Sequence, residues 1–516
     1  MACPQAEPGE IMKNPNQETA MSINGLSGYQ IQLLPSRILS ILLIFIVLIA
    51  TGCAAVGPDY VRVEPEAPDR WQAPLQTGIS GEKPDLNDLS HWWTRLQDPQ
   101  LAELERRASQ GSLDLKEAQA RIREARSMRG IRQAEGFPTL DGNGAVRKSR
   151  SSENNGSGEE KELFSLGFDA SWEADVFGGL KRSVEAAEAD LQVTQENLYH
   201  LQVTLMAEVA LNYVEIRTYQ QRLDLNRENI KILQEGYELN DSRYQAGIIG
   251  ELPVQESLRL LETAKSTRPV LETGLDVAKN RLAILLGEPP GHLHKELAMR
   301  QPLPSLPASV AVGIPTETLR RRPDVRRAER SLAAQTARIG IATAELYPKF
   351  RLSGTLGLEA LSAGDLLQTA SRTWGFGPGV EWNLFDAGSI RRNIEVQNAR
   401  QEQALIQYER TILKALEEVE NALVAYAQEQ QRRDSVARAS VAAERAAELA
   451  ENQYLAGLVS FNNVLDAQRS LLILRDELSR SNGNIVANLI RVYKALGGGW
   501  SCEKDLDPSH LEKGQM

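Results

Sequence analysis

The sequence predicts an α+β membrane chain: a few transmembrane β-strands continued by very long α-helices, with the whole unit present twice. Three observations carry this. Residues 164–177, "FSLGFDASWEADVF", place Phe164, Leu166, Phe168, Ala170, Trp172, Ala174 and Val176 on one side and Ser165, Gly167, Asp169, Ser171, Glu173 and Asp175 on the other. Such alternation marks a strand with one apolar and one polar face. Residues 180–246 then run without proline and with a single glycine, Gly236. Finally, the chain matches itself at a constant offset of 210 residues: Asp114 with Asp324, Pro138 with Pro348, Gly144 with Gly354, Trp172 with Trp382, Arg182 with Arg392, Glu208 with Glu418, and "YQAG" (244–247) with "YLAG" (454–457). A register held from one end to the other means a duplicated unit.

In chain order, residues 38–52, "ILSILLIFIVLIATG", form an apolar run preceded by Arg37 and ended by small residues before Cys53. The length suits the hydrophobic segment of a signal peptide and is short for a membrane span. The polar stretch 1–35 is long for the start of such a signal, which makes Met21 a second candidate start. Cys53 sits where a lipobox places the acylated cysteine, so 1–52 is expected to be removed and 53–97 to be a lipid-anchored segment. Cys3 would leave with the signal and Cys502 stands alone in a polar tail (501–516), so no disulfide framework is expected.

Asp98 followed by Pro99 opens a helix as cap and first-turn residue. Repeat 1 covers 98–287 and repeat 2 covers 314–500, joined by the proline-rich linker 288–313. Each repeat begins with a helix (112–136; 323–346) that ends at "FP" or "YP", as proline requires. Two strands follow: near 139–147 and 164–177 in the first repeat, 349–360 and 373–384 in the second. Pro378 inside the last of these predicts a bulge or an interrupted ladder. The strand pairs are joined by "KSRSSENNGSGEEKE" and "ALSAGDLLQTASR". Long helices, 180–246 and 390–456, come next; at 1.5 Å per residue each reaches roughly 100 Å. They turn at Gly247 and Gly457, which supply the left-handed residue a helix reversal needs, and return as shorter helices.

Four strands cannot close a barrel, because known barrels need about 8 or more. An open edge in lipid leaves backbone groups unpaired, so the chain must oligomerise. A net charge of −11 argues mildly against nucleic acid as a partner. "GGLKR" (178–182) lacks the glycine spacing and the Ser/Thr of a phosphate loop and reads as a strand-to-helix turn. His292 and His294 stand close without a third ligand, so no metal site is expected. The arginine cluster at 320–330 is interleaved with Asp324 and Glu329 and reads as a salt-bridged helix start. Trp92 and Trp93 read as packing residues. No enzyme motif is present.

Over nearly the whole chain after Cys53, "CAAVGPDY" (53–60), "HWWTRLQDPQL" (91–101), "LRRRPDVRRAE" (319–329), "WNLFDAG" (382–388), "YLAG" (454–457) and "VLDAQRSLL" (464–472) resemble the outer-membrane factor family of TolC-like and OprM-like exit ducts, in its lipoprotein (NodT) branch. The resemblance implies a homotrimer with a 12-stranded barrel, four strands per chain, continued by a periplasmic helical barrel. It implies a passive efflux duct in the outer membrane, without catalysis, that carries small molecules when docked to a periplasmic adaptor and an inner-membrane RND-type pump. No cofactor is implied beyond diacylglycerol and palmitate on Cys53. It also implies that the tips, with Tyr244, Gly247, Tyr454 and Gly457, close the duct and contact the adaptor, and that Asp466 belongs to an acidic ring narrowing the pore. Pro253 stands where some members place the acid that holds the tyrosine matching Tyr454, which argues against that latch. Within the family the alternative is a type I protein-secretion duct. A periplasmic adaptor would show one hairpin between lipoyl-type halves, and a soluble coiled-coil scaffold has no use for the strands.

Overall fold

The computed structural model describes residues 55–64, 67–73, 75 and 78–500. The signal segment, Cys53 and the tail with Cys502 lie outside the described residues. In chain order the elements are β1 (Ile79–Ser80), α1 (Leu86–Ser90), α2 (Pro99–Gly111), α3 (Leu113–Ala134), β2 (Thr139–Arg150), β3 (Glu160–Ala174), α4 (Gly179–Gln245), α5 (Glu251–Leu285), β4 (Val310–Ala311), α6 (Pro315–Arg321), α7 (Pro323–Ala344), β5 (Lys349–Ala360), β6 (Arg372–Glu381), α8 (Ser389–Leu455) and α9 (Phe461–Ala495). The duplication is visible element by element. The two long helices are both 67 residues and the two returning helices both 35, and each pair starts 210 positions apart.

The strands form one antiparallel sheet of order β2-β3-β5-β6, so the two hairpins join through β3 and β5. Side chains alternate across a sheet with period two, and the register keeps like with like. Phe168 lies opposite Gly142 and Leu356, Trp172 opposite Leu352, and Leu356 opposite Trp374. At the centre Gly167 faces Gly357; a Cβ on Gly357 would come within 2.9 Å of the Leu166 carbonyl oxygen. Only glycine permits so close an approach, and it lets the sheet curve.

Two expectations are corrected here. The ladder between β5 and β6 runs from Lys349–Glu381 to Leu358–Arg372 without a skipped residue, and Pro378 simply faces Leu352. A proline interrupts a ladder only on the side to which its residue would donate, and on the β5 side no bulge is required. The β2–β3 hairpin is also longer than the alternation suggested. Arg150 pairs with Glu160, which leaves only residues 151–159 as loop. On the other side β6 stops at Glu381, and Trp382 turns back so that its indole N–H donates to the Leu346 carbonyl at 3.1 Å. Trp172 does the same to Gly136 at 2.9 Å, at the matching place in the first repeat.

Beyond the sheet, α3, α4, α7 and α8 lie side by side, and α9 packs along both α8 and α4. A rod of 67 residues is stable only through such lateral packing. The largest core sits midway, where α2, α4, α5 and α9 bury Trp92, Leu101, Leu104, Tyr213, Ile216, Leu282 and Leu489. Asp98 caps α2 by accepting from the Gln100 and Leu101 amides, with Pro99 in its first turn. Trp92 is fully buried and stacks on Tyr493 at 5.2 Å. The linker is not featureless: β4 within it pairs in parallel with β1. Two-residue strands carry no readable pattern, so this sheet had no sequence signal.

Candidate functional site: channel wall, tips and N-terminal strap

The sheet has the faces of a membrane wall. One side exposes Leu140, Val146, Leu166, Phe168, Leu352, Leu356, Trp374, Phe376 and Val380, with Phe376 79% and Trp374 71% exposed. Monomeric soluble proteins rarely leave so large a contiguous apolar patch in water. The other side carries Asp141, Asn143, Asp169, Glu173, Arg351 and Glu381. There Arg351 bridges Glu173 at 3.3 Å and Glu381 at 3.4 Å, and Asn143 donates to Asp169. Within the chain, β2 and β6 each have one unpaired edge. A sheet that is apolar outside, polar inside and open at both edges can serve as part of a closed, water-filled barrel.

The tips are built by matching Schellman turns. The Gly247 and Ile248 amides donate to the Tyr244 and Arg243 carbonyls, each at 2.9 Å, and the Gly457 and Leu458 amides donate to those of Tyr454 and Gln453 at the same distances. Gly247 and Gly457 have φ +71° and +72°, in the left-handed region where glycine has no steric cost. Both turns are exposed. Tyr454 packs on Phe461, the first residue of α9, at 5.2 Å, and the Arg243 guanidinium lies over its ring at 5.3 Å. Tyr454 is therefore engaged by a cation from α4, where the sequence reading found only a missing acid at Pro253. Tyr244 is 43% exposed. Asp466 lies on α9 next to the buried pair Val464 and Leu465, but its own side chain is exposed and makes no ion pair among the described residues.

Salt bridges account for the basic cluster ahead of α7 and within it. Arg322 bonds Asp324 at 2.8 Å and Glu418 at 2.6 Å, and Arg326 bonds Glu196 at 2.5 Å. "GGLKR" is the strand-to-helix turn expected, with Gly178 at φ +74° and the Leu180 and Lys181 amides donating to Asp175.

Sequence reasoning missed the role of residues 55–73. Residues 55–64 and 67–73 lie as a strap from the base of the sheet down α7 and α8. The Arg182 guanidinium holds the upper end, donating to the Val56 and Gly57 carbonyls and to Asp59. Lower down, the Tyr60 hydroxyl donates to Glu329, Arg320 pairs with Glu64, the Tyr408 hydroxyl donates to the Val63 carbonyl, and Glu420 accepts from the Gln72 and Ala73 amides. No periodicity marks this segment. The only available signal was the pairing of Arg182 with Arg392 in the repeat.

A fully buried acid lies outside all these features. Glu105 of α2 has both carboxyl oxygens without a hydrogen-bond partner among the described residues, and burial pushes its pKa well above the ordinary 4.5.

Comparison with known proteins agrees with this geometry. The family described as "Outer membrane efflux protein" matches twice, over residues 104–288 and 314–498, that is, once in each repeat. Nodulation protein T of Rhizobium leguminosarum bv. trifolii is 31% identical over 470 residues, covering 89% of this chain and 97% of its own length. The cation efflux system protein CusC of Escherichia coli O6:H1 (strain CFT073) is 29% identical over 455 residues, 88% of this chain and 97% of its own. The solved outer-membrane channel OprN superposes with a TM-score of 0.82 at 33% identity, covering 87% of this chain and 100% of that one. The sheet of one chain is thus one third of a shared barrel of 12 strands, closed by three chains that contribute four each. The chain belongs to the outer membrane efflux protein family and forms a channel in the outer membrane.

Proposed function

We propose that the trimer is the passive exit duct of a tripartite efflux system, carrying small molecules from periplasm to exterior while the energy comes from its partners. The observation that carries this is the sheet, which is apolar outside, lined inside by paired charges, and continuous with hairpins long enough to reach deep into the periplasm. The exposed tip turns at Gly247 and Gly457, with Tyr244 and Tyr454 beside them, form the surface that a periplasmic adaptor meets, and the adaptor links the duct to an inner-membrane RND-type pump. Similarity to a cation efflux system protein supports metal-ion or other small cargo over polypeptide cargo. Deleting the gene should sensitise its host to small toxic compounds or metal ions and leave protein secretion unchanged. Loss of a secreted polypeptide, with unchanged sensitivity, would contradict the proposal and favour a type I secretion duct.

Two residues complete the proposal. Cys53 is lipidated with diacylglycerol and palmitate and becomes the mature N-terminus; mass spectrometry of the membrane-extracted protein should find the acyl mass on that residue. Asp466 lines the closed tip, where threefold symmetry brings three carboxylates around one axis and focuses the field. In planar bilayers Asp466→Ala should then weaken cation selectivity and divalent-cation block while the trimer still assembles. Unchanged selectivity, conductance and block would reduce Asp466 to a surface acid.

A further inference from the structure

The strap has a geometry that its structural role alone does not demand. At its upper end the Val56 amide donates to the Phe177 carbonyl at 3.0 Å, at the turn between β3 and α4. Arg182, one turn into α4, is only 4% exposed, although Asp59 and Glu185, its acidic partners, are 86% and 39% exposed. Its Nε donates to the Val56 carbonyl at 3.2 Å, and its Nη2 donates to the Gly57 carbonyl at 3.3 Å and to Asp59 at 2.6 Å. Three glycines make the seat. A Cβ on Gly57 would lie 2.5 Å from the Gly340 Cα, one on Gly178 2.5 Å from the Ala55 Cα, and one on Gly340 2.7 Å from the Arg182 Cγ.

The duplicated position provides a control. Arg392, Gly388 and Gly130 are the repeat counterparts of Arg182, Gly178 and Gly340. Arg392 is 79% exposed within the chain and bonded to Glu395 at 2.7 Å, as Arg182 is to Glu185, and a Cβ on either glycine would meet nothing within 4 Å among the described residues. Within one chain, the fold itself needs no buried arginine here. Two things differ between the places within the chain: Arg182 is covered by α7 and by the strap, whereas neither α3 nor a strap covers Arg392.

The seat lies at the membrane boundary. Phe177 stacks on Tyr347 at 4.5 Å and packs near Phe350, and Trp382, Leu384 and Phe385 stand exposed at the foot of β6. Such an aromatic girdle marks the interfacial layer of a barrel. Cys53 precedes Ala55 by two residues, a chain reach of at most about 7 Å. We infer that Arg182 and its glycine seat act as a positioning clamp that fixes the height of the lipid anchor, delivering the acyl chains of Cys53 into the periplasmic leaflet against the lower rim of the barrel wall. The occupant of that rim is thus the chain's own lipid. The inference rests on the reading of Cys53 as lipidated.

A fatty acid carrying a photoreactive diazirine near its carboxyl end, fed to cells expressing the full chain, tests this in the native membrane. After irradiation, crosslinks mapped by mass spectrometry should concentrate on the lower rim around Phe177, Tyr347 and Phe350. Arg182→Gln should reduce the rim fraction several-fold, whereas Arg392→Gln should leave it unchanged. If Arg182→Gln fails to assemble, a short Gly-Ser insertion after Ala54 carries the same test, since it lengthens the tether and leaves every clamp residue in place. Equal rim crosslinking in the native, Arg182→Gln and insertion proteins, or a labelled Cys53 with scattered crosslinks, overturns the clamp alone. A Cys53 that incorporates no label overturns the lipid reading and the inference with it.

Discussion

The two repeats share their elements to the residue, yet they treat equivalent side chains differently. Within the chain Arg182 is buried and Arg392 is exposed; Glu196 is buried against Arg326, while its counterpart at position 406 is Ile. Trp172 and Trp382, in contrast, make the same bond to the same backbone position. The equivalent bonds belong to what a barrel base requires of any repeat. Of the differences, the burial of Arg182 involves a part present once, the strap, whereas the Glu196–Arg326 pair joins two helices that each repeat has.

The sharpest way to break this comparison is to remove the two arginines in turn. Arg182→Gln strips charged donors from two backbone carbonyls and from Asp59, and should cost about 2–3 kcal/mol, since hydrogen bonds from a charged group are worth about 1.5–3 kcal/mol net. The thermal dissociation midpoint of the detergent-purified assembly should fall accordingly. Arg392→Gln should lower that midpoint by less, because within the chain it gives up only an exposed ion pair and no bond to a strap. Equal effects would mean that the strap is not what distinguishes the repeats.

Glu105 offers a second asymmetry, because its counterpart in repeat 2 is Pro315, in the first turn of α6. Its folded pKa is raised above the ordinary 4.5, so its contribution to stability is fully present below pH 4.5 and is lost as pH rises toward the folded value. Across that window the loss is about 1.4 kcal/mol per pH unit while the folded protein keeps the proton. Glu105→Gln cannot titrate, and should flatten the fall in the thermal midpoint measured between pH 5 and pH 8. A slope that survives the substitution would place the titration elsewhere.

The smallest expected effect is an equality. Trp172→Phe and Trp382→Phe each lose one indole hydrogen bond and should each lower stability by about 1 kcal/mol. A large difference between them would show that the barrel base is not built alike in the two halves.

These regions also differ in how far they could be foreseen. The duplication, the strands and the 67-residue helices are legible because alternation, proline and glycine punctuate them at fixed spacing. Pro138 and Pro348 end helices, Gly247 and Gly457 reverse them, and Phe164 to Trp172 alternate without error. Pro378 misled because a proline costs a ladder only the one bond its residue would donate, and the β5–β6 ladder runs past it unbroken. The strap was illegible for a different reason. Residues 55–73 have no period, and their partners Arg182, Arg320, Glu329, Tyr408 and Glu420 lie more than a hundred residues away in sequence. Tyr454 shows the same limit at the tip: its contact with Arg243 joins two hairpins whose register only the folded chain reveals.

What unites both repeats is the claim that four strands with two open edges form one third of a barrel. Multi-angle light scattering of the detergent-purified protein, with the detergent contribution subtracted, tests it most directly. The account predicts a protein mass of three chains that persists on dilution. A monodisperse single chain that still conducts when inserted in a bilayer would contradict it, because a four-stranded sheet cannot close on itself.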